Sequence, residues 1–162
     1  MTEIRVRYGK PADVHNFMDL CRGCALENGL ANMDEHKVLG EVWSSLHNTG
    51  GVIGVIGLEG EPLEAGIMLR IDGLPYSYEQ VICERAIYVR PEFRAAKGGR
   101  ARLLGEFAKH VSETLELPLL ISILSTHRAA GKVRLYERLF GPPAGAYWLW
   151  GAKTGQQQEA AE

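Results

Sequence analysis

Residues 83–104 read CERAIYVRPEFRAAKGGRARLL, and the character of this segment changes twice. Its first part continues a run rich in β-branched and aromatic side chains that starts at Gln80, which predicts a strand over 80–89. A proline and a group of small residues interrupt the run, and apolar side chains resume from Leu103 at helical spacing. The segment therefore predicts a strand, a loop and a helix in direct succession.

The loop has the composition of an anion-binding site. A helix N-terminus carries unpaired backbone N–H groups and a partial positive charge, and small residues let a phosphate approach the backbone closely. The small residues here are Ala95, Ala96, Gly98 and Gly99. The cations around them are Arg90, Arg94, Lys97, Arg100 and Arg102, with Glu92 as the only acid in between. We expect a polyanionic ligand at this loop.

The rest of the chain continues the alternation of strands and helices. Strand periodicity and β-branched runs predict further strands over 3–7, 52–56, 64–72, 119–124 and 147–150. Helical spacing of apolar residues predicts helices over 11–28, 38–46, 103–115 and 133–140. This order implies an α+β or α/β sandwich with one mixed sheet. We expect a single domain over 1–152 and a disordered tail over 153–162.

The composition is that of one globular domain. The 162 residues are 46% hydrophobic, and the formal net charge of -2 argues against a surface built throughout for nucleic acid or anionic lipid. No apolar stretch approaches the ~20 residues that a membrane helix needs, and the N-terminus lacks the basic and apolar regions of a leader. We therefore expect a cytoplasmic protein without a membrane segment.

The cysteines and histidines predict no metal site. Cys21 and Cys24 form a C-x-x-C inside a predicted helix, and no second ligand pair follows to complete a four-ligand zinc site. Cys83 stands alone, so there is no disulfide framework, and the five histidines have no metal-ligand spacing. We interpret Cys21 and Cys24 as small apolar residues of the helix.

Two motifs resemble those of the GNAT superfamily of acyl-CoA N-acyltransferases. The first, Val89-Arg90-Pro91-Glu92-Phe93-Arg94, looks like the superfamily's acyl-CoA-binding motif, a strand ending V-x-P-x-[YF]-R before small residues and a helix. The second, residues 135–141 (LYERLFG), resembles the family's L-Y-E-[RK]-x-G-F at the end of the last helix. The element order agrees from Ile4 to Trp150. The resemblance implies an α+β fold, an α/β/α sandwich with a mixed, mostly antiparallel sheet and a splayed strand at the acyl-CoA site.

The loop departs from the family's usual [RQ]-x-x-G-x-[GA]. Lys97 stands where the first glycine belongs, and one inserted residue restores Gly98 to that role but then places Arg100 at the second small position. One alternative is therefore a GNAT-fold interaction or structural module that is inactive, with weak or no CoA binding. A second alternative takes the cations as a phosphate-binding stripe for nucleic acid, which the acidic total disfavours.

The resemblance implies which residues hold the cofactor, acetyl-CoA. The strand residues Ile87, Tyr88 and Val89 contact the pantetheine arm, as an added strand does. The loop holds the pyrophosphate, by backbone N–H groups and then by side-chain charge; its residues are Arg94, Ala95, Ala96, Lys97, Gly98, Gly99 and Arg100. Ser125 occupies a position where relatives often have an asparagine that contacts the cofactor.

The resemblance also implies a direct transfer of the acetyl group to an amine, with no covalent enzyme intermediate. Glu84 is the candidate base that deprotonates the ammonium, and its spacing from Val89 predicts that the two side chains face opposite sides of the sheet; the alternative is an ion pair with Arg85. A backbone N–H near Ile87 is the candidate oxyanion donor. Tyr136 matches the tyrosine that protonates the CoA thiolate in many relatives; the alternative is a packed aromatic.

The acceptor amine carries no motif. A protein N-terminus or lysine, a polyamine, an aminoglycoside and a small metabolite all stay open. The family's habit implies a homodimer, and the aromatic strand over 147–150 is the edge at which we expect pairing.

Overall fold

The computed structural model describes residues 3–29, 32–94, 99–125 and 127–151. Its α-helices are α1 (Val14–Asn28), α2 (Glu35–Leu46), α3 (Arg100–Leu115) and α4 (Ala129–Phe140). Its strands are β1 (Arg7–Tyr8), β2 (Gly51–Ile56), β3 (Ala65–Gly73), β4 (Gln80–Val89) and β5 (Leu119–Leu120). Short 3₁₀ turns precede α1 (Pro11–Asp13) and follow β4 (Pro91–Phe93).

The strands form one sheet in the order β1-β2-β3-β4-β5. The first three pairings are antiparallel, and only β4 and β5 run parallel. The parallel pair follows from the chain order, because α3 lies between β4 and β5 and returns the chain to the same end of the sheet. The expectation of a mixed, mostly antiparallel sheet is confirmed.

The sheet carries a separate apolar core on each face. On one face α1 and α2 bury Phe17, Leu20 and Val42 against β2 and β3. On the other face α3 packs Leu104 and Phe107 against the alternate strand positions. α4 lies against α3. Helices therefore cover both faces of the sheet, which gives three layers, helix on sheet on helix. Among the described residues, no helix is long and apolar enough to cross a membrane.

A buried ion pair fastens the short first strand to the start of α1. Asp13 is fully buried and accepts hydrogen bonds from Arg7 Nη1 and Nη2 at 2.8 and 2.9 Å and from the Lys10 backbone N–H at 2.8 Å. Arg7 Nε also donates to the carbonyl of Gly57 at 2.7 Å. Burial raises the pKa of Asp13, but the Arg7 and Lys10 hydrogen bonds outweigh it and leave that pKa below its ordinary value.

Among the described residues, the structure shortens two predicted strands and lacks a third. The strand predicted over 3–7 forms only at Arg7–Tyr8, because Gly57 (φ 136°) turns β2 away just where residues 3–6 need a partner. The strand predicted over 119–124 is limited to Leu119–Leu120, because β4 diverges from it beyond Cys83. The strand predicted over 147–150 is wrong for the described chain, since nothing there pairs with this segment. The predicted tail, 153–162, lies outside the described residues.

Gly54 in β2 and Gly40 in α2 offer a matched test of the packing. A Cβ at Gly54 would lie 2.6 Å from an edge carbon of the Phe107 ring, whereas a Cβ at Gly40 meets nothing within 4 Å. We expect Gly54→Ala to lower the free energy of unfolding by about 1–3 kcal/mol through overpacking. Gly40→Ala should leave it unchanged or raise it by up to about 1 kcal/mol, since alanine favours a helix. Urea unfolding measures both, and equal effects of the two changes would contradict this description of the core.

Candidate active site

The open edge of β4 is the central feature of the site. β4 pairs with β3 from Gln80 to Val89, but with β5 only at Ile82 and Cys83. From residue 84 onward, no strand of the described chain lies on its other side. Backbone groups that would complete a ladder are therefore available to another molecule along this edge. The splayed strand expected from the sequence is confirmed.

A β-bulge in β4 changes which way Glu84 faces. Met68 pairs with Ala86 and Leu69 with Glu84, which leaves Arg85 as an extra residue on β4. Residues opposite each other in a sheet share a face, and Leu69 packs with Val89 in the core beneath α3. Glu84 therefore lies on the same face as Val89. Uniform alternation predicted the opposite face, and the inserted residue is why that prediction was wrong.

One cavity lies where the end of β4 meets the start of α3 and the side of α4. Its volume is about 270 Å³, and its lining includes Ile87, Tyr88, Val89, Phe93, Arg94, Gly99, Arg100 and Tyr136. Gly99 begins α3 with φ 58° and provides no side-chain cap. Among the described residues, no side chain caps the first-turn amides of α3 at the cavity, which suits an anion site. We call this the α3-side cavity.

Arg100 is held inside this cavity wall. Its Nε donates to Glu64 Oε2 at 2.6 Å, and its guanidinium carbon lies 4.7 Å from the centre of the Phe93 ring. The residue is 8% exposed, yet its buried Nη1 has no hydrogen-bond partner among the described residues. A buried donor of this kind is costly unless a ligand or water accepts from it. The residues present therefore fit an anionic ligand.

Arg94 is also engaged within the protein. It is hydrogen-bonded to Glu27 of α1, its Nε donates to the carbonyl of Val89 at 2.8 Å, and its guanidinium carbon lies 5.2 Å from the centre of the Tyr88 ring. The ion pair links α1 to the end of β4.

Most cations of the cluster seen in the sequence form ion pairs with carboxylates in the folded chain. Arg94 pairs with Glu27, Arg100 with Glu64, and the side chain of Arg102 with that of Glu106. All three carboxylates lie outside residues 90–102, so the charges counted around the loop in the sequence did not include them. The remaining predicted loop residues, Ala95, Ala96, Lys97 and Gly98, lie outside the described residues.

A second cavity lies between α1, the bulge of β4 and the segment 122–125. Its volume is about 390 Å³, and its lining includes Cys24, Asn28, Glu84, Arg85, Ser122 and Ser125. It shares one wall with the α3-side cavity, formed by Glu27, Ile87, Tyr88, Lys132 and Tyr136. We call it the α1-side cavity. Two ligands that enter from opposite sides would meet at the shared wall.

Glu84 has the electrostatics of a proton acceptor. Burial raises its pKa to about 7, against the lowering effects of the Ser122 backbone N–H, Arg85 and Lys132. Arg85 itself turns outward and donates to Asp72 Oδ2 at 2.6 Å, so Glu84 is not tied up in the ion pair considered from the sequence. A carboxylate that changes its protonation near neutral pH suits general acid–base chemistry.

Tyr136 lies beside Glu84 rather than in a purely apolar layer. Burial, and then the charges of Glu84 and Cys24, raise the pKa of its phenol above the ordinary value. The phenol therefore stays protonated at neutral pH and can act as a proton donor. Its ring also stacks edge-on against Phe140, with centroids 5.7 Å apart, so the residue is both packed and placed at the shared wall.

Three lining residues were not assigned to the site from the sequence. Lys132 Nζ donates to Ser125 Oγ at 3.2 Å, Cys24 Sγ lies 3.8 Å from the Ile87 carbonyl oxygen, and Glu27 holds Arg94. Cys24, interpreted as an apolar helix residue, lines the α1-side cavity, and burial raises the pKa of its thiol. The described residues contain no group of three or more His, Cys, Asp or Glu side chains placed to hold a metal ion.

The fold is similar to that of solved acetyltransferases. AAC(6')-Iy in complex with the bisubstrate analogue CoA-S-monomethyl-acetylneamine superposes with a TM-score of 0.70 at 12% identity, over 94% of this chain and 99% of that one. A predicted acetyltransferase with acetyl-CoA from Clostridium acetobutylicum gives 0.68 at 14% identity, over 90% and 94%. Ribosomal-protein-alanine N-acetyltransferase from Brucella melitensis biovar Abortus 2308 gives 0.65 at 15% identity, over 91% and 98%. No family model matches the sequence, and no curated protein is significantly similar to it.

The raised pKa of Glu84 predicts a specific dependence of stability on pH. Between about pH 4.5 and 7 the folded state holds a proton on Glu84 that the unfolded state has lost, so this group lowers stability as the pH rises. Glu84→Gln removes the titration. The difference in free energy of unfolding between Glu84→Gln and wild type should therefore be about 2 kcal/mol more in favour of the variant at about pH 8 than at about pH 5.

Denaturant unfolding at the two pH values measures this gain. Glu61→Gln, at an exposed position in the β2–β3 turn, serves as the control and should differ equally from wild type at both. A Glu84→Gln variant whose difference from wild type is also independent of pH would contradict the raised pKa.

Proposed function

Because the chain has the fold of the GNAT acetyltransferases, we propose that it transfers an acetyl group from acetyl-CoA to an amine. The observation that carries this proposal is the meeting of two cavities at the open edge of β4. One cavity ends at the uncapped start of α3, and the other contains a carboxyl group whose pKa is about 7. A thioester donor and an amine acceptor need such an arrangement.

The α3-side cavity suits the donor. The pyrophosphate of acetyl-CoA would accept hydrogen bonds from the first-turn amides of α3 and from the unpartnered Arg100 Nη1. The pantetheine arm would lie along Ile87, Tyr88 and Val89 at the open edge. Arg94 contributes in this proposal through its position at the cavity wall, with its charge balanced by Glu27.

The acid–base steps follow from the groups at and near the shared wall. Glu84 accepts a proton from the acceptor ammonium, since its pKa of about 7 leaves a large fraction ionised at neutral pH. The neutral amine then attacks the thioester carbonyl, and the C–S bond breaks as the tetrahedral intermediate collapses. The departing thiolate takes a proton from Tyr136, and the tyrosinate recovers one as the amide nitrogen gives up its remaining extra proton. No covalent bond to the protein is needed.

The Ile87 backbone N–H is the proposed oxyanion donor. The Ile87 carbonyl oxygen lies 3.8 Å from Cys24 Sγ, on the side of the α1-side cavity. In a strand the N–H of a residue points to the same side as its C=O. The N–H therefore faces the open edge, where a tetrahedral intermediate would form.

The α1-side cavity suits the acceptor. Its lining carries both signs of charge, with the acids Glu27 and Glu84 and the cations Arg85 and Lys132. The cationic side chains can contact an amine that also bears an anionic group, and the acidic ones can contact an amine that bears further cations. A screen for the acceptor therefore includes amino acids and peptide N-termini as well as polyamines and aminoglycosides.

A cytoplasmic location fits this proposal. All three cysteines, Cys21, Cys24 and Cys83, are free thiols, as is usual in a reducing compartment.

Binding of acetyl-CoA is the first test, and Ala101 supplies a matched pair of variants. Ala101 lies in the first turn of α3 and lines the α3-side cavity. We expect wild type to bind acetyl-CoA in calorimetric titration. Ala101→Glu should bind roughly tenfold more weakly than Ala101→Gln, because the two side chains have nearly the same size and only the first repels a phosphate. Equal binding by the two variants would contradict a phosphate at this position. If wild type binds no CoA, the chain is instead a CoA-free member of the fold that acts as an interaction module.

Turnover separates binding from catalysis. Release of the CoA thiol, followed with a thiol reagent across the amine screen, identifies the acceptor. Tyr136→Phe and Glu84→Gln should still bind acetyl-CoA and should lose about 10²–10⁴ in kcat. For wild type, kcat/KM should rise with pH to a plateau above about 7, as Glu84 ionises. Full activity of Glu84→Gln would remove Glu84 from the mechanism.

A further inference from the structure

Four charged side chains line the α1-side cavity, and two of them already have partners within the protein. Glu27 forms an ion pair with Arg94, and Arg85 forms one with a carboxylate that is not part of the lining. The other two are Glu84 and Lys132, and among the described residues neither forms an ion pair. Internal pairing therefore leaves one acid and one cation of the lining for a ligand.

The ammonium group of Lys132 lies on the side of the α1-side cavity. The residue is half-buried in the shared wall, and its Nζ donates at 3.2 Å to the hydroxyl of Ser125, which lines the α1-side cavity only. That hydroxyl also accepts from the backbone N–H of His127 at 3.2 Å, and among the described residues its own O–H has no acceptor. An ammonium and a hydroxyl side by side are donors that suit a carboxylate.

Glu84 lies near this donor pair without contacting it. Burial raises the pKa of the Glu84 carboxyl, and the positive charge of Lys132 is one of the influences that lower it, so the two groups sense each other. A small ligand that carries an ammonium beside a carboxylate fits between them. Each of its charges then lies next to a protein charge of the opposite sign.

We propose that the acceptor is a free α-amino acid with a neutral side chain, whose ammonium contacts Glu84 and whose carboxylate accepts hydrogen bonds from Lys132 and Ser125. This assignment rests on the proposed transferase function. The amine has to reach the shared wall to attack the thioester, and Lys132 is part of that wall. An anion must therefore lie close to the amine, and in an α-amino acid both groups are attached to one carbon atom.

The same charges disfavour the other acceptors of the screen. A polyamine or an aminoglycoside brings further ammonium groups to a wall that contains Lys132, and only Glu84 is left to balance them. A peptide N-terminus has no carboxylate beside its amine and leaves Lys132 without an anion. A charged side chain on the amino acid would add a third charge without an unpaired partner. A neutral one suits the apolar part of the lining, which consists of Ala25, Ala86, Ile87, Ile123 and Leu124.

Binding tests the assignment without turnover. NMR titration of the full chain in excess CoA uses as probes the L-amino acids with neutral side chains, and the amide of each one that binds. We expect the amino acid to bind roughly tenfold or more tightly than its amide. Lys132→Gln should weaken binding of the amino acid roughly 10- to 100-fold and change that of the amide little, as loss of a charge-assisted hydrogen bond predicts.

Two variants control for the charge and for its position. Lys132→Arg keeps the cation and should keep the preference for the amino acid over its amide. Lys109→Gln removes a cation from an exposed position of α3 and should bind both probes as wild type does. Equal weakening of the amino acid and the amide by Lys132→Gln would mean that Lys132 supports only the fold, and it overturns the assignment.

Release of the CoA thiol from acetyl-CoA is the second readout. The kcat/KM of wild type should be higher for the amino acid than for its amide. The amide has the larger fraction of neutral amine near pH 7, since loss of the carboxylate lowers the pKa of the amine, so a higher value for the amino acid reports recognition of the carboxylate. In Lys132→Gln the preference should disappear, chiefly through a higher KM for the amino acid.

The two readouts separate this inference from the proposed function. Binding of amino acids that depends on Lys132, without release of CoA, supports the amino-acid site and contradicts the transferase function. Turnover of polyamines, aminoglycosides or peptides, with no binding of any neutral amino acid, supports the transferase function and overturns this inference. Absence of both binding and turnover overturns this inference as well.

Discussion

The divergence of β4 from β5 is the constraint on which the rest of the structure depends. A parallel pair that holds for only two residue pairs leaves half of a central strand with a free edge. Residues of α1 lie on one side of this free edge, and residues of α4 and of the segment 122–125 lie on the other. Among the described residues, none of these elements forms a ladder with the edge. The two cavities are the space that this arrangement leaves. Since the start of α3 and the end of β4 line the same cavity, the N-terminal amides of α3 open into it.

Long-range ion pairs hold the parts of the site together. Glu27 and Arg94 are 67 residues apart in sequence, and Glu64 and Arg100 are 36 apart, yet each pair fixes a cation beside the end of β4. In the proposed function, these pairs offset the positive charges of Arg94 and Arg100, so the donors offered to an anion are the first-turn N–H groups of α3 and Arg100 Nη1. A site built in this way discriminates by shape as much as by charge.

Local sequence patterns were sufficient for the elements whose partners are fixed. The strand over 80–89 and the hairpin before it were predicted correctly, because a buried strand needs an uninterrupted apolar or alternating run. The face of the sheet on which Glu84 lies was predicted wrongly. The extra residue Arg85 reverses the alternation of side chains, and no residue type in the sequence predicts a bulge there. The roles of Glu27, Cys24 and Lys132 depend on which helix lies beside β4, which only tertiary structure determines.

The buried pair between Arg7 and Asp13 sets a sharp limit on shortening the chain from its N-terminus. β1 consists of Arg7 and Tyr8 alone. Removal of residues 1–6 would therefore remove the packing of Ile4 and Val6 against the core but keep the ion pair between Arg7 and Asp13. Removal of one further residue takes away the guanidinium and leaves a fully buried carboxylate without its main partner. Loss of one member of such a pair costs about 3–5 kcal/mol, a large fraction of the stability of a domain this size. A truncation that starts the chain at Arg7 therefore keeps the ion pair, whereas one that starts it at Tyr8 removes it.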